Sequence, residues 1–212
     1  MVKHEINSSG NDNELRLFIA MVLPESIIAE IADIQRQLKR YHHDIRWVQP
    51  KNIHLTIKFL GDVNVSKVDS IIDAIKCSVG YMSPIQIQAK GIGMFPGLKN
   101  PKVLWIGLSG DIIQLKQYHN RLEDLLVPLG FAKEDRPFKA HLTIGRIKNK
   151  MPINQAQDIL RQFETYTSPL FLFDRIVLFK SDLRPEGPLY KPMDVATIAS
   201  IEHDDLENER KR

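Results

Sequence analysis

The tetrapeptide His-Leu-Thr-Ile occurs twice in this chain, at residues 54–57 and again at residues 141–144. Because residues two apart in a strand share a face, each histidine would lie beside a threonine, with the leucine and isoleucine on the other face. Two imidazoles can act as acid and base near neutral pH, and two hydroxyls can donate hydrogen bonds to phosphoryl oxygens. The pattern therefore predicts phosphodiester chemistry that requires no metal ion, carried by His54, Thr56, His141 and Thr143.

A single His-x-Thr would mean little, because a half-buried histidine in a strand is the more common case. The chain has seven histidines, and in the other five the residue two positions later is neither Ser nor Thr. These five are His4, His42, His43, His119 and His203. The repetition of the whole tetrapeptide favours a functional site over a structural relic of an internal duplication.

The two tetrapeptides lie 87 residues apart, and the same offset relates other parts of the sequence. It carries the strand-like residues 15–22 onto 102–109 and the helical residues 65–79 onto 152–166. It also carries the helix that begins near Pro24 onto one that begins near Asp111. Because repeats determine architecture, we expect two similar lobes related by a pseudo-twofold axis. Pairing of these lobes would bring both His/Thr pairs to one groove.

Hydrophobic spacing predicts an alternation of strands and helices. The predicted strands are residues 15–22, 53–60 (ended by Gly61), 85–89, 103–108, 141–147, 170–179 and 189–196. The predicted helices are residues 24–38, 65–79, 115–129 and 152–163, and the glycine- and proline-rich residues 91–97 are expected to form a loop. The predicted fold class is α+β, with two pseudo-twofold-related lobes whose antiparallel sheets face a central groove and whose helices lie outside.

Composition narrows the class of protein further. The 212 residues suit one domain, the formal charge of +3 is only mildly basic, and Cys77 is the single cysteine. One cysteine allows neither an internal disulfide nor a cysteine-based metal site, which is typical of a reducing compartment. No segment is apolar over a length that would cross a bilayer. We therefore expect a cytoplasmic monomer with a flexible N-terminal extension (1–13), a single bilobal domain (14–198) and a charged C-terminal tail (199–212).

Longer stretches around both tetrapeptides resemble the 2H phosphoesterases, which are named for two His-x-Thr-x motifs. The chain is most similar to the RNA 2′,3′-cyclic phosphodiesterases of that group, once called 2′-5′ RNA ligases. The resemblance covers roughly residues 15–196 and rests on the stretches RLFIAMVLP, RWVQPKNIHLTIKFLGDV, GIGMFP, KVLWIGL, RPFKAHLTIGRI and FKSDLRPEGPLY. It implies the bilobal 2H phosphoesterase fold and the hydrolysis of RNA 2′,3′-cyclic phosphate ends to 2′-phosphates.

The resemblance also implies a role for each motif residue. His54 would be the general acid that protonates the leaving ribose 3′-oxygen, and His141 would be the general base that activates water. Thr56 and Thr143 would contact the phosphate. The family has no cofactor and no metal in its catalytic site, and the expected partners are RNA ends with a 2′,3′-cyclic phosphate, tRNA fragments among them.

Two basic residues next to the motifs are candidates for phosphate contact. Lys58 continues the alternation of His54 and Thr56, so it is expected to face the groove. Its repeat-related position is Gly145, which would leave room for a second lysine. Arg146 matches an arginine that follows the second motif in the family. Regular alternation sends Arg146 to the opposite face, so this role requires a bulge or a strand end.

Aromatic and basic residues flank both motifs. Three aromatic residues are candidates for stacking on a nucleobase, although such residues more often belong to a core: Trp47, Phe95 and Phe138. Four basic residues are candidates for a cationic rim that contacts RNA phosphates, and a solvated face would explain them equally well: Arg46, Arg136, Lys139 and Lys148.

Other functions stay open at this point. The substrate could instead be a 2′-5′ linkage, another cyclic nucleotide, or tRNA halves joined by a reversible ligase. A non-catalytic module that binds RNA ends is a second alternative, and the presence of both complete His/Thr pairs argues against it. A metallohydrolase is a third alternative, but it would need further ligands, and neither motif has an Asp, Glu or Cys on its face.

Overall fold

The structure is a computed structural model that describes residues 13–40, 44–80, 82–185 and 187–198. The predicted C-terminal tail lies outside the described residues, and so does the predicted N-terminal extension except for residue 13. In chain order the elements are β1 (Glu14–Val22), α1 (Glu25–Lys39), β2 (Ile45–Trp47), β3 (His54–Asn64), α2 (Val68–Val79), β4 (Ile85–Phe95), β5 (Val103–Gly110), α3 (Ile112–Leu126), β6 (His141–Ile147), α4 (Ile153–Gln162), β7 (Phe171–Phe173), β8 (Arg175–Asp182) and β9 (Leu189–Thr197).

The strands of the described residues form one antiparallel sheet in the order β7-β4-β5-β6-β3-β1-β8-β9. Strand β6 pairs with β5 along one edge, and along its other edge it pairs with both β3 and β2. We name the parts of the sheet the β3 half (β3-β1-β8-β9) and the β6 half (β6-β5-β4-β7). The halves meet at a single pair, Leu55 opposite Leu142. These residues are repeat-equivalent, and a residue that pairs antiparallel with its own equivalent lies on a local twofold axis. The predicted pseudo-twofold α+β fold is confirmed, although its two sheets join here into one.

Each half of the sheet contains a strand from the other half of the sequence. Strand β4, from the N-terminal repeat, pairs with β5 in the β6 half. Strand β8, from the C-terminal repeat, pairs with β1 in the β3 half. The two strands therefore occupy equivalent places, each beside the first strand of the other repeat. The folded halves are not the two halves of the sequence.

The helices bury apolar faces against the side of the sheet that carries the aliphatic motif residues. Helices α1 and α3 correspond residue for residue under the 87-residue offset. Their buried apolar side chains share one core with those of the motif strands: Ile27, Ile31, Ile34, Leu38, Leu115, Tyr118, Leu122, Leu126, Leu55, Ile57, Leu142 and Ile144. Burial of one such side chain stabilises the fold by about 1.5–3 kcal/mol. The motif histidines and threonines lie on the opposite face of the sheet.

Among the residues that the structure describes, no helix has the length and the apolar character needed to cross a bilayer.

Two glycine-rich places that were predicted to interrupt strands lie inside strands. The predicted loop at residues 91–97 is wrong for its first part, because β4 continues to Phe95. A register shift between Lys90 and Ile92, together with the positive φ of Gly91 (62°), makes a bulge within the strand. Gly61 likewise does not end β3, which continues to Asn64.

The strand predicted at residues 170–179 is two strands. The residues before Asp174 form β7, which pairs with β4, and the residues after it form β8, which pairs with β1. The chain therefore passes from one half of the sheet to the other at this point. A continuous apolar run gives no sign of such a change of partner, because both parts are buried strands of the same composition.

Candidate active site

The four motif side chains surround the point where the two halves of the sheet meet. His54 and Thr56 flank Leu55, and His141 and Thr143 flank Leu142, its partner across the junction. All four side chains are half-buried, whereas both leucines are buried in the core. The structure thus brings together the residues that the repeated tetrapeptide singled out. Their catalytic roles stay predictions.

Both imidazoles are oriented by the same backbone hydrogen bond. Nδ1 of His54 donates to the carbonyl oxygen of Asn52 at 2.8 Å, and Nδ1 of His141 donates to that of Lys139 at 2.6 Å. The two acceptors are repeat-equivalent. A carbonyl can only accept, so Nδ1 carries the hydrogen and Nε2 is the atom left to exchange a proton with a ligand.

His54 lies within a cluster of aromatic rings. Phe18 stacks on its imidazole with ring centres 4.9 Å apart, Tyr190 meets it edge-on at 5.4 Å, and Phe179 lies at 6.3 Å. Burial among these rings lowers the pKa of His54 to about 4, and the hydrogen bond to Asn52 opposes part of that change. In the ligand-free protein this imidazole is therefore neutral at pH 7.

His141 has a different set of neighbours. Phe95 meets its imidazole edge-on at 5.0 Å, and Trp105 lies at 6.3 Å. Phe95 in turn stacks on Trp105, and the ammonium of Lys139 lies 5.8 Å from the Phe95 ring centre. Of the three aromatic residues predicted to stack on a nucleobase, Phe95 is the one that touches a motif histidine.

A bulge in β6 turns Arg146 towards the site. Opposite β5, Leu104 pairs with Gly145 and Trp105 pairs with Thr143, so Ile144 has no partner residue there. The extra residue reverses the alternation beyond it, and Arg146 becomes exposed on the face of His141. The pKa of Tyr190 is raised by burial and lowered in part by the Arg146 charge, which indicates that Arg146 lies near the ring cluster of His54. The bulge that a phosphate-contacting role of Arg146 requires is therefore present in β6.

The repeat-equivalent bulge in β3 has the opposite consequence for Lys58. Ile19 pairs with Lys58 and Ala20 pairs with Thr56, so Ile57 is the extra residue. The side chain of Lys58 therefore points to the helices, where it is only 5% exposed. Its Nζ lies 2.5 Å from Oε1 of Glu123 and donates to the carbonyl oxygen of Ala132 at 2.7 Å. The prediction that Lys58 faces the groove and holds phosphate was wrong.

Gly145 does not leave room for a second lysine either. A Cβ atom at this position would lie 2.6 Å from Cγ2 of Ile45 and 3.4 Å from the Trp47 ring. The space beside Gly145 is filled because β2 pairs with β6 there. Glycine is favoured at this position, because the side chains of Ile45 and Trp47 occupy the space that a Cβ would need.

Trp47 and Phe138 lie away from the groove. Trp47 pairs with Gly145, so it shares the helix side of the sheet, and the ammonium of Lys39 lies 5.8 Å from its ring centre. Phe138 stacks on His119 of α3 with ring centres 4.2 Å apart. It also lines a cavity of about 510 Å³ between α3 and residues 133–138. The prediction that Trp47 and Phe138 stack on a nucleobase was wrong, because both rings are already packed against the helices.

The four basic residues considered for a rim do not form one group. Arg46 pairs with Arg146 across β2 and β6 and so lies on the same face of the sheet. The ammonium of Lys139 lies over the Phe95 ring. Nζ of Lys148 lies 3.9 Å from Oδ1 of Asp44, and Arg136 lines the cavity near Phe138. Only Arg46 and Lys139 are placed by these contacts beside the candidate site.

Sequence reasoning missed most of the residues that surround the histidines. Phe18, Trp105, Phe179 and Tyr190 come from four different strands, and Phe59 is turned to the same face by the β3 bulge. A signal was present for all four, because RLFIAMVLP contains Phe18, KVLWIGL contains Trp105, and FKSDLRPEGPLY contains both Phe179 and Tyr190. Phe179 and Tyr190 lie more than 100 residues from His54, and this distance hid their contact with it.

Within residues 13–40, 44–80, 82–185 and 187–198, no group of three or more His, Cys, Asp or Glu side chains is arranged to hold a metal ion. The candidate site offers two imidazoles, two hydroxyls and the guanidinium of Arg146, with Arg46 on the same face of the sheet. This set suits proton transfer beside a bound phosphate.

A family model described as LigT like Phosphoesterase matches the chain twice, at residues 22–105 and 106–190. Each match contains one of the two His-Leu-Thr-Ile tetrapeptides. The chain belongs to the LigT-like phosphoesterases, a family of 2H phosphoesterases.

Two curated relatives named RNA 2′,3′-cyclic phosphodiesterase align with this chain over nearly their whole length. The protein of Methanocaldococcus jannaschii is 36% identical over 177 residues, which is 84% of this chain and 97% of the relative. That of Archaeoglobus fulgidus is 34% identical over 181 residues, or 85% of this chain and 99% of the relative. The recognition of the family from its motifs is confirmed.

The fold is shared with solved structures. A crystal structure of a Thermus thermophilus protein superposes with a TM-score of 0.74 over 89% of this chain and 100% of its own, at 22% identity. At this identity the likeness concerns the fold alone, and it confirms the predicted architecture.

Proposed function

We propose that this protein is an RNA 2′,3′-cyclic phosphodiesterase, which hydrolyses cyclic phosphate ends to 2′-phosphates. The observation that carries the proposal is the meeting of two His/Thr pairs at the pseudo-twofold junction. Each imidazole donates from Nδ1 to a backbone carbonyl, which leaves Nε2 as the atom for proton transfer. The names of the curated relatives support it. The expected partners are RNA ends, tRNA fragments among them, and the protein is expected to act as a monomer in the cytoplasm.

The proposed reaction is an in-line displacement at phosphorus. Nε2 of His141 takes a proton from water as the water oxygen bonds to phosphorus. The bond from phosphorus to the ribose 3′-oxygen breaks, and Nε2 of His54 gives that oxygen its proton. The hydroxyls of Thr56 and Thr143 and the guanidinium of Arg146 donate hydrogen bonds to the non-bridging oxygens, where negative charge increases in the transition state.

His54 must gain a proton before it can act as the acid. Its pKa of about 4 in the free protein results from burial among aromatic rings. A bound phosphodiester is an anion, and an opposite charge close to an imidazole in a poorly hydrated site raises the pKa of that imidazole. Substrate binding is therefore expected to be coupled to proton uptake by His54.

The most direct test is incubation with a short RNA that ends in a 2′,3′-cyclic phosphate. The product is compared with 2′-phosphate and 3′-phosphate standards, and EDTA is included in a parallel reaction. We expect the 2′-phosphate, at a rate that EDTA leaves nearly unchanged. The His54→Ala/His141→Ala double variant, purified in the same way, controls for contaminating ribonuclease.

Each other outcome has a defined meaning. A 3′-phosphate product would contradict the proposed leaving oxygen, and loss of activity in EDTA that a divalent ion restores would contradict the metal-free mechanism. Binding without turnover would favour the non-catalytic RNA-end module. Turnover of a 2′-5′ linkage or joining of tRNA halves, without hydrolysis of the cyclic phosphate, would favour the ligase alternative.

A further inference from the structure

Gln35 is a buried polar residue of α1 that makes two hydrogen bonds at the junction of the motif strands. Its side chain is 1% exposed. Its Nε2 donates to the carbonyl oxygens of Val48 and Ile144, each at 2.8 Å. The amide nitrogen has two hydrogens, so both bonds form together. Because both partners are carbonyls, the amide nitrogen and not its oxygen must face them.

The two acceptors belong to the segments that carry the two motifs. Ile144 is the extra residue of the β6 bulge, between Thr143 and Arg146. Val48 follows β2 and leads through the 3-10 turn Pro50–Asn52 to His54. The backbone N–H of Val48 also donates to the Ile144 oxygen, at 3.1 Å. Gln35 therefore joins the bulge of one motif strand to the approach of the other.

We propose that Gln35 is a positioning residue that acts through Arg146, an inference that rests on the proposed function. Its amide holds the Ile144 bulge, and the bulge turns Arg146 onto the face of His141. Without the bulge, strand alternation would turn Arg146 towards the helices. The repeat-equivalent of Gln35 is Leu122, which has no donor, so this amide serves only the half of the sheet that presents the arginine.

The test compares Gln35→Met, which keeps the length of the side chain and removes both donors, with a matched core variant. Ile31→Val lies one turn earlier on α1, is fully buried and removes no hydrogen-bond donor. We expect Gln35→Met to lower kcat/KM for the cyclic phosphate about 10- to 100-fold, because small displacements of a positioned group have effects of this size. Ile31→Val should leave kcat/KM nearly unchanged. Gln35→Asn, which reaches one carbonyl at most, should give an intermediate loss.

A double-mutant cycle with Arg146→Ala separates positioning from general loosening of the fold. If Gln35 acts through Arg146, Gln35→Met should have little further effect in the Arg146→Ala background. Effects that multiply would overturn the inference, and so would full activity in Gln35→Met. The affinity for adenosine 2′-monophosphate provides a second readout without turnover. If the wild type binds this nucleotide but does not hydrolyse RNA, the proposed function fails, and the same double-mutant cycle measured by binding decides the role of Gln35. If the wild type neither binds the nucleotide nor hydrolyses RNA, the proposed function and the role of Gln35 are both overturned.

A second inference concerns Phe59, which the β3 bulge turns to the site face. Its side chain is 64% exposed, and its ring centre lies 5.9 Å from that of Phe18, which stacks on His54. The equivalent position in the β6 half is Arg146. One repeat therefore presents a cation and the other an exposed aromatic ring beside the same pair of histidines.

The geometry points to Phe59 as a stacking surface for the nucleobase of the substrate, again resting on the proposed function. The phosphate of a bound nucleotide would lie at the histidines and Arg146, and its base must lie beside that position. An exposed aromatic ring stacks on any base, and loss of such a ring weakens binding by about 1–3 kcal/mol, or about 5- to 150-fold. Specificity for the base is then low and depends on ring size.

Substrates with and without a base test this second inference. For adenosine 2′,3′-cyclic phosphate, Phe59→Ala should raise KM about 5- to 150-fold, and Phe59→Trp should restore it. For the cyclic phosphate of methyl riboside, which has no base, Phe59→Ala should change KM less than about twofold. Ile113→Ala, an equally apolar and exposed position on α3, is the matched control.

Equal effects of Phe59→Ala on both substrates would overturn the stacking role, and so would no effect on either. If the wild type hydrolyses neither small substrate, the incubation with cyclic-phosphate RNA decides the proposed function, and the affinities for adenosine 2′-monophosphate and ribose 2-phosphate decide the role of Phe59 by the same comparison.

Discussion

The two motif strands begin with the same tetrapeptide and the same backbone hydrogen bond, yet the surroundings of their histidines differ. His54 lies among Phe18, Phe179 and Tyr190, and burial lowers its pKa to about 4. His141 meets Phe95, over which the Lys139 ammonium lies. The two repeats have kept the atoms that would touch the substrate and have changed the rings and charges around them. Two imidazoles with different surroundings can take different roles in one reaction.

The bulges extend this comparison to the residues beyond each motif. Both strands have their extra residue at the same repeat position, Ile57 and Ile144. In the β6 half the bulge presents Arg146 and brings Gly145 against β2. In the β3 half it presents Phe59 and directs Lys58 into a buried ion pair. One repeated backbone feature thus supplies a charge on one side of the site and an apolar ring on the other.

The largest expected effect concerns the division of labour between the histidines. His54→Ala and His141→Ala should each lower turnover of the RNA substrate about 10²–10⁴-fold. An aryl phosphodiester has a leaving group that needs little protonation, so His54→Ala should be largely rescued on it while His141→Ala stays impaired. Steady-state rates of both variants on both substrates provide the measurement. Rescue of His141→Ala alone would reverse the two roles, and equal rescue would contradict a division between them.

The buried ion pair of the β3 half should matter for stability rather than for substrate binding. Lys58→Met leaves the Glu123 carboxylate buried without its partner, which is expected to lower the free energy of unfolding by about 3–5 kcal/mol. Lys58→Met/Glu123→Leu removes both charges and should recover much of that loss. Denaturant unfolding measures both variants. A KM for the cyclic phosphate that rises in Lys58→Met at a temperature where it is folded would restore Lys58 to the phosphate site.

The low pKa of His54 predicts a dependence of stability on pH. The unfolded chain has an ordinary histidine pKa of 6.5 and the folded protein one of about 4, so the unfolded state binds more protons between these values. Stability therefore falls as the pH is lowered from 6.5 to 4, and His54 accounts for about 2 kcal/mol of the loss at pH 5. His54→Gln should remove this contribution from unfolding free energies measured at pH 7 and pH 5.

A destabilised core variant controls for this pH experiment. Ile31→Val should unfold more easily than the wild type at both pH values but keep the same difference between them. A His54→Gln protein that loses as much stability as the wild type on going to pH 5 would contradict the shifted pKa.

The smallest effect concerns Gly145, the counterpart of Lys58. In Gly145→Ala the new Cβ would lie 2.6 Å from Cγ2 of Ile45, so β2 or the Ile45 side chain has to move. Overpacking of this kind destabilises a protein by about 1–3 kcal/mol. Ile45→Ala makes space, so the double variant should be less destabilised than the sum of the single variants predicts. Additive losses in thermal unfolding would show that this contact does not limit the position.

Several parts of the site could be predicted because they depend on short-range pattern. Alternation within five residues places His54 beside Thr56 and sends Leu55 to the core. The 87-residue offset then predicts that a second, equivalent strand exists, and the helices α1 and α3 follow from apolar spacing. Alternation failed at Lys58, because one extra residue reverses it and no residue type requires a bulge at Ile57.

By itself the sequence determined the motif pair, its repeat and the family, because local periodicity and a repeated tetrapeptide need no knowledge of the partner strands. Tertiary structure alone decided which strands meet. It exchanged β4 and β8 between the halves, and it placed Phe18 and Tyr190 around His54. It also placed the Gln35 amide against the Ile144 carbonyl, in the bulge that presents Arg146. These contacts join residues far apart in the chain, and they form because buried carbonyls need donors and buried strands need partners on both edges.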